Sequence, residues 1–248
     1  MSGMELAGSR ALVTGGGGGL GAVVADVLAA RGARVIVADV DAPAALAVAS
    51  GINGEHVEAD LSSETGVRAV LEVIGGELDV LINVAGGWGG AGRSFPESSA
   101  LEWEAVLKLN LLHPMRLIYE LRPALSASPI GAAVSISSSA ALSPGAYGSP
   151  EYAVAKVGLV RLTSSLADWG ERYGVRVSCV VPGWIGLRRA VAEVQAMPAD
   201  RRPPLIAPEQ IAAEVIRLVE DRDSGGEVVV IEEGKPARSI SAPGLHPE

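Results

Sequence analysis

Residues 10 to 39 limit the possible folds more than any other stretch of this chain. Arg10-Ala-Leu-Val-Thr14 is an apolar run of strand length that leads straight into five glycines, Gly15 to Gly19. Leu20-Gly21 and an Ala/Val-rich segment of helical character follow, stopping at Gly32; a second apolar run, Ala33 to Ala38, ends on Asp39. Strand, glycine turn, helix and a strand closed by an acid make the βαβ unit that binds dinucleotides. Glycines permit the tight turn, let backbone approach a pyrophosphate and let the helix pack on the strand. The helix start supplies free amides and the positive end of a dipole.

The register within the glycines stays open. Gly16-x-Gly18-x-x-Gly21, Thr14-Gly15-xxx-Gly19-x-Gly21 and Gly15-xx-Gly18-xx-Gly21 are all satisfied. Asp39 is more specific. A carboxylate about 20 residues past the turn accepts both hydroxyls of an adenosine ribose. It would repel a 2′-phosphate, and neither the glycine turn nor position 40 carries Arg or Lys. NAD is therefore expected over NADP.

The remainder of the chain extends this unit. Short apolar runs at His56–Leu61, Val80–Asn83, Ala132–Ser137, Val175–Val181 and Glu227–Ile231 read as further strands. Helical stretches separate them: a weak one at Ala42–Ser50, then Ser63–Ile74, Ala100–Leu125 with a break near His113-Pro114, Glu151–Tyr173, a short one at Ala190–Met197, and one from Pro208 to about Leu218. Strict alternation predicts an α/β fold: one Rossmann-like, doubly wound parallel sheet of about seven strands in a three-layer α/β/α sandwich. No repeat or linker divides the chain, so residues 1–248 are read as one domain with a tail over about 236–248. Loops over about 87–99, 140–151 and 184–208 are candidates to shape a substrate site.

Composition excludes several function classes. Apolar residues make up 48% of the chain and aromatics only 4%, so the core must be aliphatic, and 31 glycines fit many tight turns. A net charge of −9 argues against binding a nucleic-acid backbone. One cysteine, Cys179, precludes an internal disulfide and sits in an apolar stretch. Met1 to Arg10 lacks the apolar core of a signal peptide, and no apolar run reaches the roughly 18 residues that span a bilayer. A soluble cytoplasmic protein is expected. The three histidines are scattered and no metal cluster is apparent.

Chemistry is carried by Tyr152 and Lys156. Of the four tyrosines only Tyr152 has a lysine four residues on, a spacing that puts phenol and ammonium on one helical face. A phenol titrates near ~10, and a nearby fixed cation lowers that value toward useful acid/base range.

Taken together, the motifs resemble those of the short-chain dehydrogenase/reductase family, in the family's order from Thr14 to Ile231. Thr14-Gly15 with Gly18, Gly19, Leu20 and Gly21 is similar to its cofactor turn, and Asp60-Leu61 to its adenine contact. Asn83-Val84-Ala85-Gly86 resembles the family's Asn-Asn-Ala-Gly turn. Asn110 falls at the helix asparagine of the proton relay, and Ile136-Ser137-Ser138 at the strand presenting the catalytic serine. Tyr152 and Lys156 match the tyrosine–lysine pair, and Pro182-Gly183 with Ile185 the nicotinamide-side turn. The resemblance implies Ser138, Tyr152, Lys156 and Asn110 as catalytic residues, with Tyr152 and Lys156 also touching the cofactor.

Three departures stand out. The family's usual spacing from serine to tyrosine points to Ser139, whereas strand register favours Ser138. The threonine that follows the Pro-Gly turn in the family is missing, with Gly186 or Leu187 in its place. The chain has Glu232-Glu233-Gly234 where the family usually has Asp-Gly-Gly. Expected chemistry is NAD-dependent interconversion of a small secondary alcohol and a ketone; an NADP-preferring carbonyl reductase and a non-catalytic NAD(H) sensor are the alternatives. Ser138, Trp88, Tyr147 and Trp184 are candidate substrate contacts, and Arg188 and Arg189 could meet an anionic group. The resemblance further implies a homotetramer or homodimer, with no membrane or nucleic-acid partner.

Overall fold

The computed structural model describes residues 5–87, 94–143 and 149–240. Eight strands form one sheet in the order β3-β2-β1-β4-β5-β6-β7-β8. They are β1 (Arg10–Thr14), β2 (Arg34–Asp39), β3 (Glu55–Glu58), β4 (Val80–Asn83), β5 (Ala132–Ile136), β6 (Arg176–Pro182), β7 (Val228–Ile231) and β8 (Arg238–Ile240). All neighbours from β3 to β7 are parallel. The eighth strand was not expected: residues 238–240, read from the sequence as tail, pair antiparallel with β7. Three largely exposed residues on a sheet edge carry no periodic signature, which explains why the sequence hid them.

The strands alternate their side chains between two cores, as a pleat requires. Val13, Val35, Val37, Ile82, Val134, Val180 and Val229 face one side, where α1 (Gly19–Ala30), α2 (Ala42–Gly51) and α9 (Pro208–Glu220) cover them. Leu12, Ile36, Leu81, Ala133 and Val177 face the other, beneath α3 (Glu64–Ile74) and α5 (His113–Ala127). Burial on both faces is why these strands read as continuous apolar runs. Between them in sequence come α4 (Ala100–Leu107), α6 (Pro150–Ser165), α7 (Trp169–Tyr173) and α8 (Arg188–Ala196). The single helix expected over Glu151–Tyr173 is thus two, α6 and α7. The break expected near His113-Pro114 is a wide π-turn over Lys108–Leu112, across which the helical path continues.

Chain direction across the sheet reverses at β1, which pairs with β2 on one side and β4 on the other. Connections leaving these strands diverge to opposite faces, opening a crevice at their C-terminal ends. Asp41 caps α2, Ser63 caps α3 and Ser99 with Glu102 forms a reciprocal box on α4. Helix α1 starts after Gly18 with no side-chain cap, so its first amides are left to whatever occupies the crevice.

Candidate active site and cofactor cleft

A cleft of about 820 Å³ runs along the C-terminal edge of the sheet. Its first wall is the glycine turn, where Gly15, Gly17, Gly18 and Leu20 line the space. Gly15 has φ +65, and a Cβ there would sit 2.8 Å from the Ala85 backbone; at Gly21 it would meet the Gly15 carbonyl at 2.1 Å. Neither position tolerates a side chain, so turn, helix and β4 approach as closely as backbone allows. A Cβ at Gly18 would instead point into open space. Gly19 carries the first helical turn and does not line the cleft.

Asp39 and Asp60 stand at the far end, at the tips of β2 and just beyond β3. The Gly17 and Asp41 N–H groups donate to separate Asp39 carboxylate oxygens at 2.9 and 3.0 Å. Each oxygen retains a lone pair for a further donor, so the group can take two adjacent hydroxyls. Asp60 accepts from the Ser62 N–H and hydroxyl, beside Leu61, and both line the cleft. Thr14 is fully buried. Its hydroxyl accepts the Val84 and Ala85 N–H groups, each at 3.1 Å, tying the end of β1 to the turn after β4.

That second turn brings Ala85 and Gly86 to the cleft, while Asn83 lies behind it, donating to Ser135 at 3.4 Å. Asn110 does not line the cleft either. Its amide donates to the carbonyls of Gly87 and Val106 at 2.8 and 2.9 Å and accepts the Gly87 N–H at 3.0 Å, closing the turn from behind. A Cβ at Gly86 would lie 2.7 Å from Asn110 Oδ1 and 3.2 Å from Lys156 Nζ, so this glycine is what lets the turn sit against both. Pro114, four residues after Asn110, has no N–H to offer the Asn110 carbonyl, and the π-turn accommodates that loss.

Ser138, Tyr152 and Lys156 converge on the middle of the cleft. Strand β5 delivers Ser138 in extended conformation, where its hydroxyl caps a short 3₁₀ turn through the Ala140 N–H. Ser139 does not line the cleft. Helix α6, opened by Pro150, carries Tyr152 and Lys156 on one face, with Nζ 5.5 Å from the phenol ring centre. Lys156 is buried and donates to the Ile136 carbonyl at 2.9 Å; the Ser137 hydroxyl donates to the Lys156 carbonyl, fastening α6 to β5. Burial pushes the Lys156 pKa down to about 8, so the ammonium still predominates at neutral pH. Nearby Cys179 is pushed up to about 12, chiefly by burial, and stays a neutral thiol. His113 is held at about 3 by burial, against the opposing pull of the Leu109 carbonyl; it is a neutral, structural histidine.

The nicotinamide-side turn follows β6. Pro182, Gly183, Trp184 and Ile185 line the cleft. The loop that follows is pinned there by an isolated bridge: the Gly186 N–H donates to the Ile206 carbonyl and the Ile206 N–H to the Trp184 carbonyl. Leu187, Arg189 and Ala190 complete this wall, and Arg188 does not reach it. Trp88 and Tyr147 lie outside the described residues.

The cleft offers free amide donors along one wall and a carboxylate with open lone pairs at one end. Uncapped amides of α1 could meet an anionic group and Asp39 a pair of hydroxyls. Comparisons with known proteins show the family. The sequence model of the family described as short chain dehydrogenase matches residues 9–197. The chain is 34% identical over 233 residues to the rhamnolipids biosynthesis 3-oxoacyl-(acyl-carrier-protein) reductase of Pseudomonas aeruginosa, covering 86% of this chain and 90% of that one. Among solved structures it is similar to the Pseudomonas aeruginosa RhlG/NADP active-site complex, at 30% identity and TM-score 0.78 over 93% of this chain and 97% of that one. It is also similar to a 7α-hydroxysteroid dehydrogenase complexed with NADH and 7-oxo glycochenodeoxycholic acid, at 25% identity and TM-score 0.80 over 93% and 95% of the two chains. With its glycine turn, its Tyr152–Lys156 helix and its parallel sheet in this order, the chain belongs to the short chain dehydrogenase family, oxidoreductases whose fold binds a nicotinamide cofactor.

Proposed function

We propose that the protein is an NAD-dependent oxidoreductase that interconverts a secondary alcohol and a ketone, with Tyr152 as general acid/base. The observation that carries this reading is one cleft lined by Ser138, Tyr152 and Lys156 at its centre and by Asp39 at its end. When bound, a nicotinamide cofactor supplies the ring carbon that accepts or returns hydride. Gly15, Gly17, Gly18 and Leu20 would hold its pyrophosphate, Asp39 its adenosine ribose, Asp60 and Leu61 its adenine. Ala85, Gly86, Pro182, Gly183 and Ile185 would hold the nicotinamide half. The pinned backbone of residues 184–186 takes over orientation where the family's threonine is missing.

The acid/base work belongs to the chain. Tyr152 takes the alcohol's hydroxyl proton as the carbonyl forms and returns it in the reductive direction. Ser138 donates to the developing carbonyl oxygen and keeps it in line with the phenol. Lys156 keeps a positive charge beside the phenol, lowering the cost of the phenolate, and Asn110 fixes the turn against which that lysine rests. Trp184, Ala105 and Leu109 make the substrate end apolar, which suits a hydrophobic alcohol or ketone.

Asp39 decides the cofactor. Its carboxylate faces the cleft with Asp41 beside it, so a 2′-phosphate would enter a doubly acidic corner. Kinetics with NADH and NADPH test this. Wild type should prefer NADH by at least about 30-fold in kcat/KM, and Asp39→Ser should erase most of that preference. A wild-type preference for NADPH would overturn it. The assembly is read as a homodimer or homotetramer in the cytoplasm, supported by an exposed apolar face on the helices flanking the site.

A further inference from the structure

We infer that Arg189 is a pyrophosphate-binding residue, the counter-charge that this acidic cleft supplies from the α8 side. A dinucleotide brings about two negative charges at its pyrophosphate. The cleft already holds the carboxylates of Asp39, Asp41 and Asp60, in a chain of net charge −9. Only two basic side chains line it among the described residues, Lys156 and Arg189. Lys156 is buried at the tyrosine, with Nζ on the Ile136 carbonyl, and serves the reacting end.

Arg189 lies where the pyrophosphate needs it. A Cβ built at Gly19 would touch the Leu187 side chain at 3.5 Å, so the start of α8 sits over the glycine turn. Leu187, Arg189 and Ala190 continue from there and line the same cleft as Gly15, Gly17 and Gly18. Arg189 Nε donates to Glu193 Oε1 at 2.9 Å, one helical turn on, which orients the guanidinium. Its terminal nitrogens form a planar fork matched to two phosphate oxygens. More than half of the side chain is exposed, so the guanidinium can turn from this surface ion pair onto a ligand at little cost to the fold. Leu187, at the start of the same wall, offers no hydrogen bond to a phosphate; Arg189 does so two residues later.

This inference rests on the cleft being the dinucleotide site, not on the choice between NADH and NADPH, which share the pyrophosphate. The test is binding, read by fluorescence titration of NADH, by calorimetry with ADP-ribose and by saturation-transfer NMR with adenosine. Arg189→Ala should weaken NADH and ADP-ribose about 10-fold and leave adenosine unchanged. Arg189→Lys should recover affinity to within about threefold of wild type, and Arg189→Ala should flatten its salt dependence. Unchanged NADH affinity in Arg189→Ala, or an equal loss for adenosine, would overturn the assignment of Arg189 alone. Wild-type protein that bound neither NADH nor NADPH would instead contradict the reading of the cleft, and this assignment with it.

Discussion

Lys156 shows how one residue's surroundings set its chemistry. Burial lowers its folded pKa to about 8, below the ordinary 10.5, so the folded state resists protonation more than the unfolded chain does. That penalty is complete below about pH 8 and fades as pH rises toward 10.5, because in this window the unfolded chain holds the extra proton. The cofactor-free protein therefore gains stability from this group with rising pH, while Cys179, pushed up by burial, opposes it above its ordinary 9. Comparing wild type with Lys156→Met isolates the lysine. In urea titrations the variant should lose ground to wild type between pH 8 and 10.5; a constant difference would contradict the burial argument. Tyr152 and Lys156 were legible in sequence because spacing alone puts them on one face. Asn110 was legible only through its motif position, since its partners, Gly87 and Val106, depend on the π-turn. Ser138 was separable from Ser139 only by strand register, and that register is what brings Ser138 to the cleft.

Two elements are held at their ends by arginines at the starts of strands. Arg10 donates to the carbonyls of Val73, Ile74 and Glu77 at the end of α3. Arg176, buried, donates to the carbonyls of Leu218, Val219 and Asp221 at the end of α9, to Ile130 before β5 and to the Ser224 hydroxyl. Burial lowers its pKa to about 10, still protonated at neutral pH. A fork of donors satisfies the last carbonyls of the helix and opposes its dipole. Removing it strands several buried acceptors, so Arg176→Met should cost about 3 kcal/mol in denaturant titrations. Arg176→Lys should restore only part of that, because a point charge cannot reach all the acceptors; full rescue would show that charge alone matters. Such long-range bonds, linking residues some 45 apart, leave no local pattern to read. Helices α1 and α3 were legible because apolar spacing and glycine stops mark them, and α9 because Pro208 opens it. The split between α6 and α7 was not, since no proline or glycine interrupts Leu166 to Asp168.

Across the whole molecule, the sheet order follows from strict β–α alternation, and the crevice follows from the reversal at β1. Within the sheet the sequence hid the terminal β8, where pairing with β7 rather than composition makes the strand. The helices beside the site leave Leu112, Met115, Tyr119, Val154 and Val157 exposed, at helical spacing on α5 and its preceding turn and on α6. Association through this face should give a dimer or tetramer in sedimentation velocity, with Tyr119→Glu shifting it to smaller species; a wild-type monomer would contradict it.

On the proposed mechanism Tyr152 moves the proton in a cleft that binds the cofactor largely without its hydroxyl. Tyr152→Phe keeps the ring and removes that hydroxyl, and the measurement is its turnover of an accepted alcohol beside its NADH affinity. Turnover should fall at least about 1,000-fold with the NADH dissociation constant within about threefold of wild type; retained turnover would contradict the account.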